Sequence, residues 1–240
     1  RGGRGPRRRA PVLRSLPYPG WPGAPAPRRG ARSRHKAIDY LEKAGEQALR
    51  NYANREAIHY FEDALRVVDE TNDQIEVTTL RKARWLRNLA DAYQGVGEFL
   101  QARRYYEMML ALLDNDPPDT VSDYTFRLPV QVGRQLWSLF RPVRGSRSDD
   151  PRNVERLEAA RAYSSLGENY FYDNQIVPAI HASLSSLNLA EQVGDSAELT
   201  QAYGSMAVAA ALVPYRRLGE AYRQRAISSA QSLEHAPSLG

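Results

Sequence analysis

The sequence predicts an all-α protein, a solenoid of antiparallel helix pairs interrupted in the middle. Three observations carry that expectation. From His35 onward apolar residues recur at i, i+3, i+4 and i+7, the period of a helix with one buried face. No stretch alternates apolar and polar residues as a half-buried strand would. A pattern of small residues 12 and then 7 positions apart returns four times along the chain.

The elements follow in order. Residues 36–51 and 54–70 form a first helix pair; in the second helix Ala57, Tyr60, Phe61, Ala64 and Leu65 share one face. A second pair covers 77–95 and 98–114, with the "GVG" of 95–97 as its turn and Gly97 suited to a positive φ. The stretch "DNDPPD" (114–119) is a loop. A short helix is predicted over 130–140, because Pro129 suits a first turn and Leu136, Trp137 and Phe140 give it an apolar face. After a second loop at 141–153, helices at 154–172, 176–193, 196–212 and 215–233 make two more pairs.

The repeat is explicit in the residues. Gly45, Ala57 and Ala64 are matched by Ala90, Ala102 and Met109, by Gly167, Ala179 and Ser186, and by Ala207, Gly219 and Ala226. Leu41, Leu86, Tyr163 and Tyr203 stand four residues before each first member, and Ala48, Tyr93, Tyr170 and Ala210 three after it. Small residues at a helix crossing let the partner approach to the usual 8–10 Å between axes. Ala57 and Ala64 are therefore read as crossing points in a stack. The third copy, "YSSLGENY" (163–170), resembles the tetratricopeptide pattern of an aromatic, then Leu-Gly, then Tyr. The copies begin 45, 77 and 40 residues apart, against a common period of 34. Ser183 and Arg223 stand where Phe61 and Tyr106 occupy the first two copies. The domain reading is thus a first pair of repeats at 35–116, an insert with a short helix at 117–153, and a second pair at 154–236.

Charge is unevenly placed. The formal net charge is +5, yet residues 1–34 hold ten Arg and no Asp or Glu, while the rest holds 23 basic against 28 acidic residues. Seven Pro and six Gly in the same 34 residues predict a disordered tail. Such an abrupt Arg/Pro/Gly block is also what GC-rich DNA yields when translated in a wrong frame. Nucleic-acid binding by this tail is not expected, since Pro breaks any helix and no aromatic ladder offers stacking. The absence of Cys excludes disulfides and thiolate sites. The longest apolar run, 206–213, falls far short of the roughly 20 residues of a spanning helix. A cytoplasmic protein without membrane association is expected.

Two segments, "AIDYLEKAGEQALRNYANREAIHYFEDAL" (37–65) and "AARAYSSLGENYFYDNQIVPAIHASLSSLNLAEQVG" (159–194), together with "RQLWSLFRP" (134–142), resemble a particular setting of such repeats. This is the helical-repeat region that follows the ATPase module in multidomain, soluble-type class III adenylate/guanylate cyclases. The resemblance covers about residues 35–235. It implies a regulatory, protein-binding region, a C-terminal fragment of an ATPase/adenylate-cyclase-type signalling protein whose catalytic domains lie upstream. The chain itself has neither a P-loop nor cyclase carboxylates, so the resemblance transfers no catalytic residue and the expectation is a non-enzyme.

Candidate chemistry is sparse. His35, His59, His181 and His235 show no metal-ligand spacing, and packing or surface roles explain His59 and His181. The acidic loop at 114–119 carries Pro118 and lacks the closing Glu of a calcium loop. No cofactor or metal is expected. The remaining candidate is a peptide groove. Arg84, Arg87 and Arg161 lie on first helices at positions that line a concave face, and Phe171 and Tyr172 fall beyond the packing register. An Arg-lined groove can hold an acidic peptide or a C-terminal carboxylate. The expected partner is a protein or peptide, or another domain of the same parent chain; an adapter acting alone is the alternative, and the oligomeric state is left open.

Overall fold

A computed structural model describes residues 31–70, 77–118, 120–139, 150, 152–211 and 216–235. Among these the chain is helical throughout, with no strand. The helices are α1 (Ala31–Arg50), α2 (Asn54–Glu70), α3 (Thr79–Gly95), α4 (Phe99–Leu112), α5 (Val121–Leu139), α6 (Arg152–Tyr172), α7 (Ile176–Val193), α8 (Ala197–Ala211) and α9 (Arg216–His235). They pack as hairpins, α1 on α2, α3 on α4, α6 on α7 and α8 on α9, and each second helix leans on the next first helix. The first helices α1, α3, α6 and α8 touch one another in sequence and form the inner layer. The protein is a tetratricopeptide-like α-solenoid of four helix pairs, interrupted by α5.

The repeat register extends to the backbone. Tyr52, Gly97 and Asn174, each seven residues after Gly45, Ala90 and Gly167, have φ of 57°, 86° and 58°. At all three turns the amide of the next residue reaches back five positions: Ala53 N to Ala48 O, Glu98 N to Tyr93 O and Gln175 N to Tyr170 O, at 2.8–2.9 Å. A second bond joins Tyr52 N to Leu49 O, Gly97 N to Gln94 O and Asn174 N to Phe171 O, each at 3.0 Å. This pairing is a Schellman motif, which satisfies the last carbonyls of the first helix and reverses the chain. Gly97 takes the left-handed conformation without cost, whereas Tyr52 and Asn174 carry a side chain into it.

The crossing positions are small because they are covered. Ala57, Ala64, Ala90 and Ala102 are fully buried, and a Cβ on Gly45 would lie 2.7 Å from Phe61 Cζ. A main core of Phe61, Trp85, Leu89, Tyr106, Met109, Leu110 and Leu166 runs from α1 into α7. A smaller cluster around Leu187, Leu199, Tyr203 and Tyr222 closes the last pair. There Ala207, Gly219 and Ala226 are only half-buried.

Two boundaries differ from the sequence expectation. The first helix starts at Ala31 rather than 36, since Ala-Arg-Ser-Arg after Gly30 has no breaker; the rest of the tail, 1–30, lies outside the described residues. The insert helix is a correction: it runs over 121–139, not 130–140, and Pro129 sits inside it. Its start is set by Thr120, whose Oγ1 accepts from Asp123 N (3.2 Å) while pairing with the Asp123 carboxylate (3.0 Å). That reciprocal cap anchors the helix nine residues before the proline. Phe140 and most of 141–153 lie outside the described residues.

Candidate functional site

The inner face is where a solenoid of this kind presents side chains from successive repeats. Positions 81, 84, 87 and 91 form one row on α3, and 158, 161, 165, 168 and 172 form another on α6. The rows meet in a ladder of ion pairs. Arg81 joins Asp39 (2.5 Å) and Glu42 (2.5 Å) of α1, and Trp85 Nε1 donates to Glu42 Oε1 (2.9 Å). Arg84 Nε and Arg87 Nε donate to the two oxygens of Glu158, at 2.9 and 3.1 Å. Arg161 Nη1 reaches Glu158 Oε1 (3.2 Å), and its Nη2 pairs with Glu198 Oε1 of α8 (2.6 Å). Arg87 Nη1 also holds Asp91 Oδ2 at 2.8 Å.

The structure therefore brings Arg84, Arg87 and Arg161 together around one buried carboxylate. Three arginines face the three carboxylates Glu158, Asp91 and Glu198, so this part of the inner face is neutralised from within. Burial pushes the Asp91 carboxyl above the usual carboxylate range, against the pull of Arg87 and of the Tyr106 hydroxyl, which donates to it at 2.5 Å. Arg84 and Arg161 keep nearly half of their side-chain surface in solvent, and Arg87 about a fifth. An incoming carboxylate can reach the first two.

Phe171 and Tyr172 are 59% and 68% exposed and lie at the far end of α6. Their rings touch each other and Tyr172 leans on Phe99 of α4, with centroids 6.2 and 5.7 Å apart. Arg103 fixes this end: it lies 4.6 Å over the Tyr170 ring and pairs with Asp173 at 2.7 Å. The five predicted residues thus form one charged cluster and one aromatic cluster, not a single pocket.

On the other side of the stack, α5, residues 114–116 and the α6–α7 pair enclose a cleft of about 380 Å³. Tyr163 donates to Asn115 O at 2.7 Å and Arg127 Nη1 to Asp116 O at 2.8 Å, which tether the loop. His181 borders the cleft, buried edge-on against Tyr124 (5.4 Å) and Tyr163 (6.4 Å), and its Nε2 has no hydrogen-bond partner. Burial, with Arg127 nearby, lowers the imidazole pKa to about 4, so the ring is neutral at pH 7. His59 is exposed on α2. Among the described residues no group of three or more His, Asp or Glu is placed to hold a metal, and no helix is long and apolar enough to cross a membrane.

Sequence reasoning misses Glu158 and the outward face of α5. Glu158 falls three residues before Arg161 on the same row, a signal that becomes readable once the inner face is assigned.

Comparison with protein families finds no match, and comparison with curated proteins finds none. Solved structures with a related outline include a MamA double mutant of RS-1, at 16% identity, covering 83% of this chain and 97% of that one, with a TM-score of 0.33. MamA from residue 41 to its end, from Desulfovibrio magneticus RS-1, shares 16% identity over 82% of this chain and 96% of that one, with a TM-score of 0.31. BtubC from P. vanneervenii shares 14% over 88% and 96%, with a TM-score of 0.33. The repeated turns and helix pairing define the fold independently of these likenesses.

Proposed function

We propose that the chain is a noncatalytic protein-interaction module that holds an extended peptide along its inner face. One observation carries the reading: half-exposed Arg161, with Arg84 beside it, shares a row of α6 with exposed Tyr172, eleven residues on. At 1.5 Å per residue the two are roughly 16 Å apart, the length of about five residues of extended chain. The fitting ligand carries a carboxylate at one end and a large apolar side chain about five positions away. Its carboxylate competes with Glu158 and Glu198 for the arginines, which favours moderate affinity and salt sensitivity.

Selection from a displayed library of random peptides tests this. Recovered peptides should share that acidic-to-apolar spacing. Arg84→Ala with Arg161→Ala, and separately Tyr172→Ala, should each weaken binding about tenfold. Undiminished binding in both variants would remove the groove.

The narrower reading, a regulatory region of an ATPase/cyclase-type protein, is supported by the segments 37–65, 134–142 and 159–194 alone. The DNA upstream of residue 35, read in all three frames, discriminates: a P-loop ATPase there favours it, and a tail that stays in frame with a start codon favours a separate adapter. ATPase or cyclase turnover by the purified chain would overturn the noncatalytic reading itself.

A further inference from the structure

The ion pairs of the inner face leave one carboxylate over. Arg81 is joined to Asp39 and Glu42, and Arg84, Arg87 and Arg161 share Glu158. Asp91 is held by Arg87 and Glu198 by Arg161. Glu168 lies in the same α6 row, is exposed, and has no hydrogen bond or ion pair among the described residues. Desolvation, and after it the like charge of Asp91 on α3, push its carboxyl above the usual carboxylate range. Asp91 offers it no relief, since its Oδ1 accepts from Tyr106 and its Oδ2 from Arg87.

Glu168 stands between the charged and the aromatic clusters. It follows Arg161 by seven residues and precedes Tyr172 by four. At 1.5 Å per residue these separations are roughly 10 and 6 Å, about three and two residues of extended chain. The arginines and their partners Glu158, Asp91 and Glu198 balance, so Glu168 gives the middle of the groove an excess negative charge. A ligand that brings only a carboxylate adds to that excess. One that also carries a cation at this point removes it.

We propose that Glu168 is a specificity residue of the inner groove and receives a lysine or arginine side chain of the bound peptide. That side chain lies about three residues from the ligand's carboxylate and two from its large apolar side chain. The inference rests on the peptide-groove reading and adds a third anchor to it. A peptide-borne cation fits better than a metal ion, because no group of three or more His, Asp or Glu among the described residues is placed to hold one.

The test uses the full chain and fluorescein-labelled hexapeptides of sequence Glu-Ala-Ala-X-Ala-Phe, where X is Lys, Gln or Glu, each made also in reversed order. Binding is read by anisotropy. In the order that binds, the Lys peptide should be about three- to fivefold tighter than the Gln peptide, and the Glu peptide weaker than both. Glu168→Gln should erase the preference for Lys over Gln, and Glu168→Lys should place the Glu peptide first. Glu56→Gln, the same loss of charge at an exposed position of α2, should leave the wild-type order. Arg84→Ala with Arg161→Ala should weaken all three peptides and keep the ratio of Lys to Gln. The ranking on the wild-type chain decides independently of any variant's folding. Peptides that bind through the arginines with equal affinity for Lys and Gln overturn this proposal and leave the groove standing. A Lys preference that survives Glu168→Gln, or that Glu56→Gln removes as well, overturns it too. Binding of none of the peptides overturns groove and specificity together.

Discussion

The first and third repeats share one backbone plan and fill it differently. In the first, Gly45 faces the Phe61 ring, which is fully buried and leaves no room for a methyl group. In the third, the equivalent Gly167 faces the Ser183 hydroxyl at 3.3 Å and Ala182 Cβ at 3.6 Å. The contrast extends outward. The first half packs Trp85, Leu89, Tyr106 and Met109 into an apolar core. The second half buries Glu158, His181, Ser185, Ser186 and Asn188, and Ser186 Oγ donates to the Ala160 carbonyl across the α6–α7 crossing at 2.8 Å. Glu158, Ser186 and Asn188 each bond to a group on another helix and so specify one register, whereas Ser185 Oγ and His181 Nε2 are buried without a hydrogen-bond partner. The lesson is that a repeat keeps its turn and its crossing points while the filling of the groove is free to change.

The comparison can be broken most forcefully at the groove itself. Phe61→Ala should cost about 3–5 kcal/mol in denaturant unfolding, as for other buried aromatics. Ser183→Ala at the same register position should cost under about 1 kcal/mol, since its hydroxyl bonds only to its own helix at Ala179 O. Equal costs would mean that the two grooves are filled alike.

Next in size is the acid response of the polar half. His181 has a pKa of about 4 in the fold against an ordinary 6.5, so protonation favours the unfolded chain. The stability this imidazole contributes is present above pH 6.5 and lost as pH falls toward 4, by up to about 3 kcal/mol. Half-buried Asp91 and Glu191, whose carboxyls are shifted upward by desolvation, act in the opposite sense. The difference between wild type and His181→Gln isolates the ring: it should narrow progressively from pH 7 to pH 4. A difference constant across that range would contradict the burial of a neutral imidazole.

Glu158→Gln comes third. It leaves three arginines without their shared anion, and because these are part-hydrated the loss should be about 1–2 kcal/mol. It should also raise affinity for acidic peptides at the inner face, read by anisotropy against wild type. The smallest effect belongs to what the repeats share. Tyr52 is 89% exposed and held at φ 57°, so Tyr52→Gly should stabilise the protein by about 1 kcal/mol in the same unfolding measurement.

Much of this architecture is legible in the amino-acid sequence. The 12-and-7 spacing locates the crossings, and Gly97 announces one of the three left-handed turns that share the repeat register. Asn174 is of a type that tolerates the left-handed region, but Tyr52 announces nothing, because its conformation is imposed by the Schellman bonds and not by residue type. The row of α3 and α6 positions brings Arg84, Arg87 and Arg161 to one face, yet Glu158 reads as an ordinary surface charge. Helix α5 misleads for a related reason. Apolar periodicity marks which residues share a face, and says nothing about which face is inward when the body offers Asn188, Glu191 and Tyr222 instead of an apolar surface. Pro129 compounds this, since a proline reads as a helix start when the Thr120–Asp123 cap is overlooked.

One pair of substitutions tests the central claim, that the chain repeats a single helix-pair plan with different fillings. Gly45→Ala and Gly167→Ala place the same methyl group at the same register position. Alanine's better helix propensity favours both by roughly 1 kcal/mol. At Gly45 the methyl meets immobile Phe61 carbons at 2.7–3.0 Å, so equilibrium unfolding should show a net loss of about 1–3 kcal/mol. At Gly167 the hydroxyl of Ser183 can rotate aside, and stability should hold or rise by up to about 1 kcal/mol. Opposite responses are the predicted result; a common loss at both sites, or a gain at Gly45, would contradict the account.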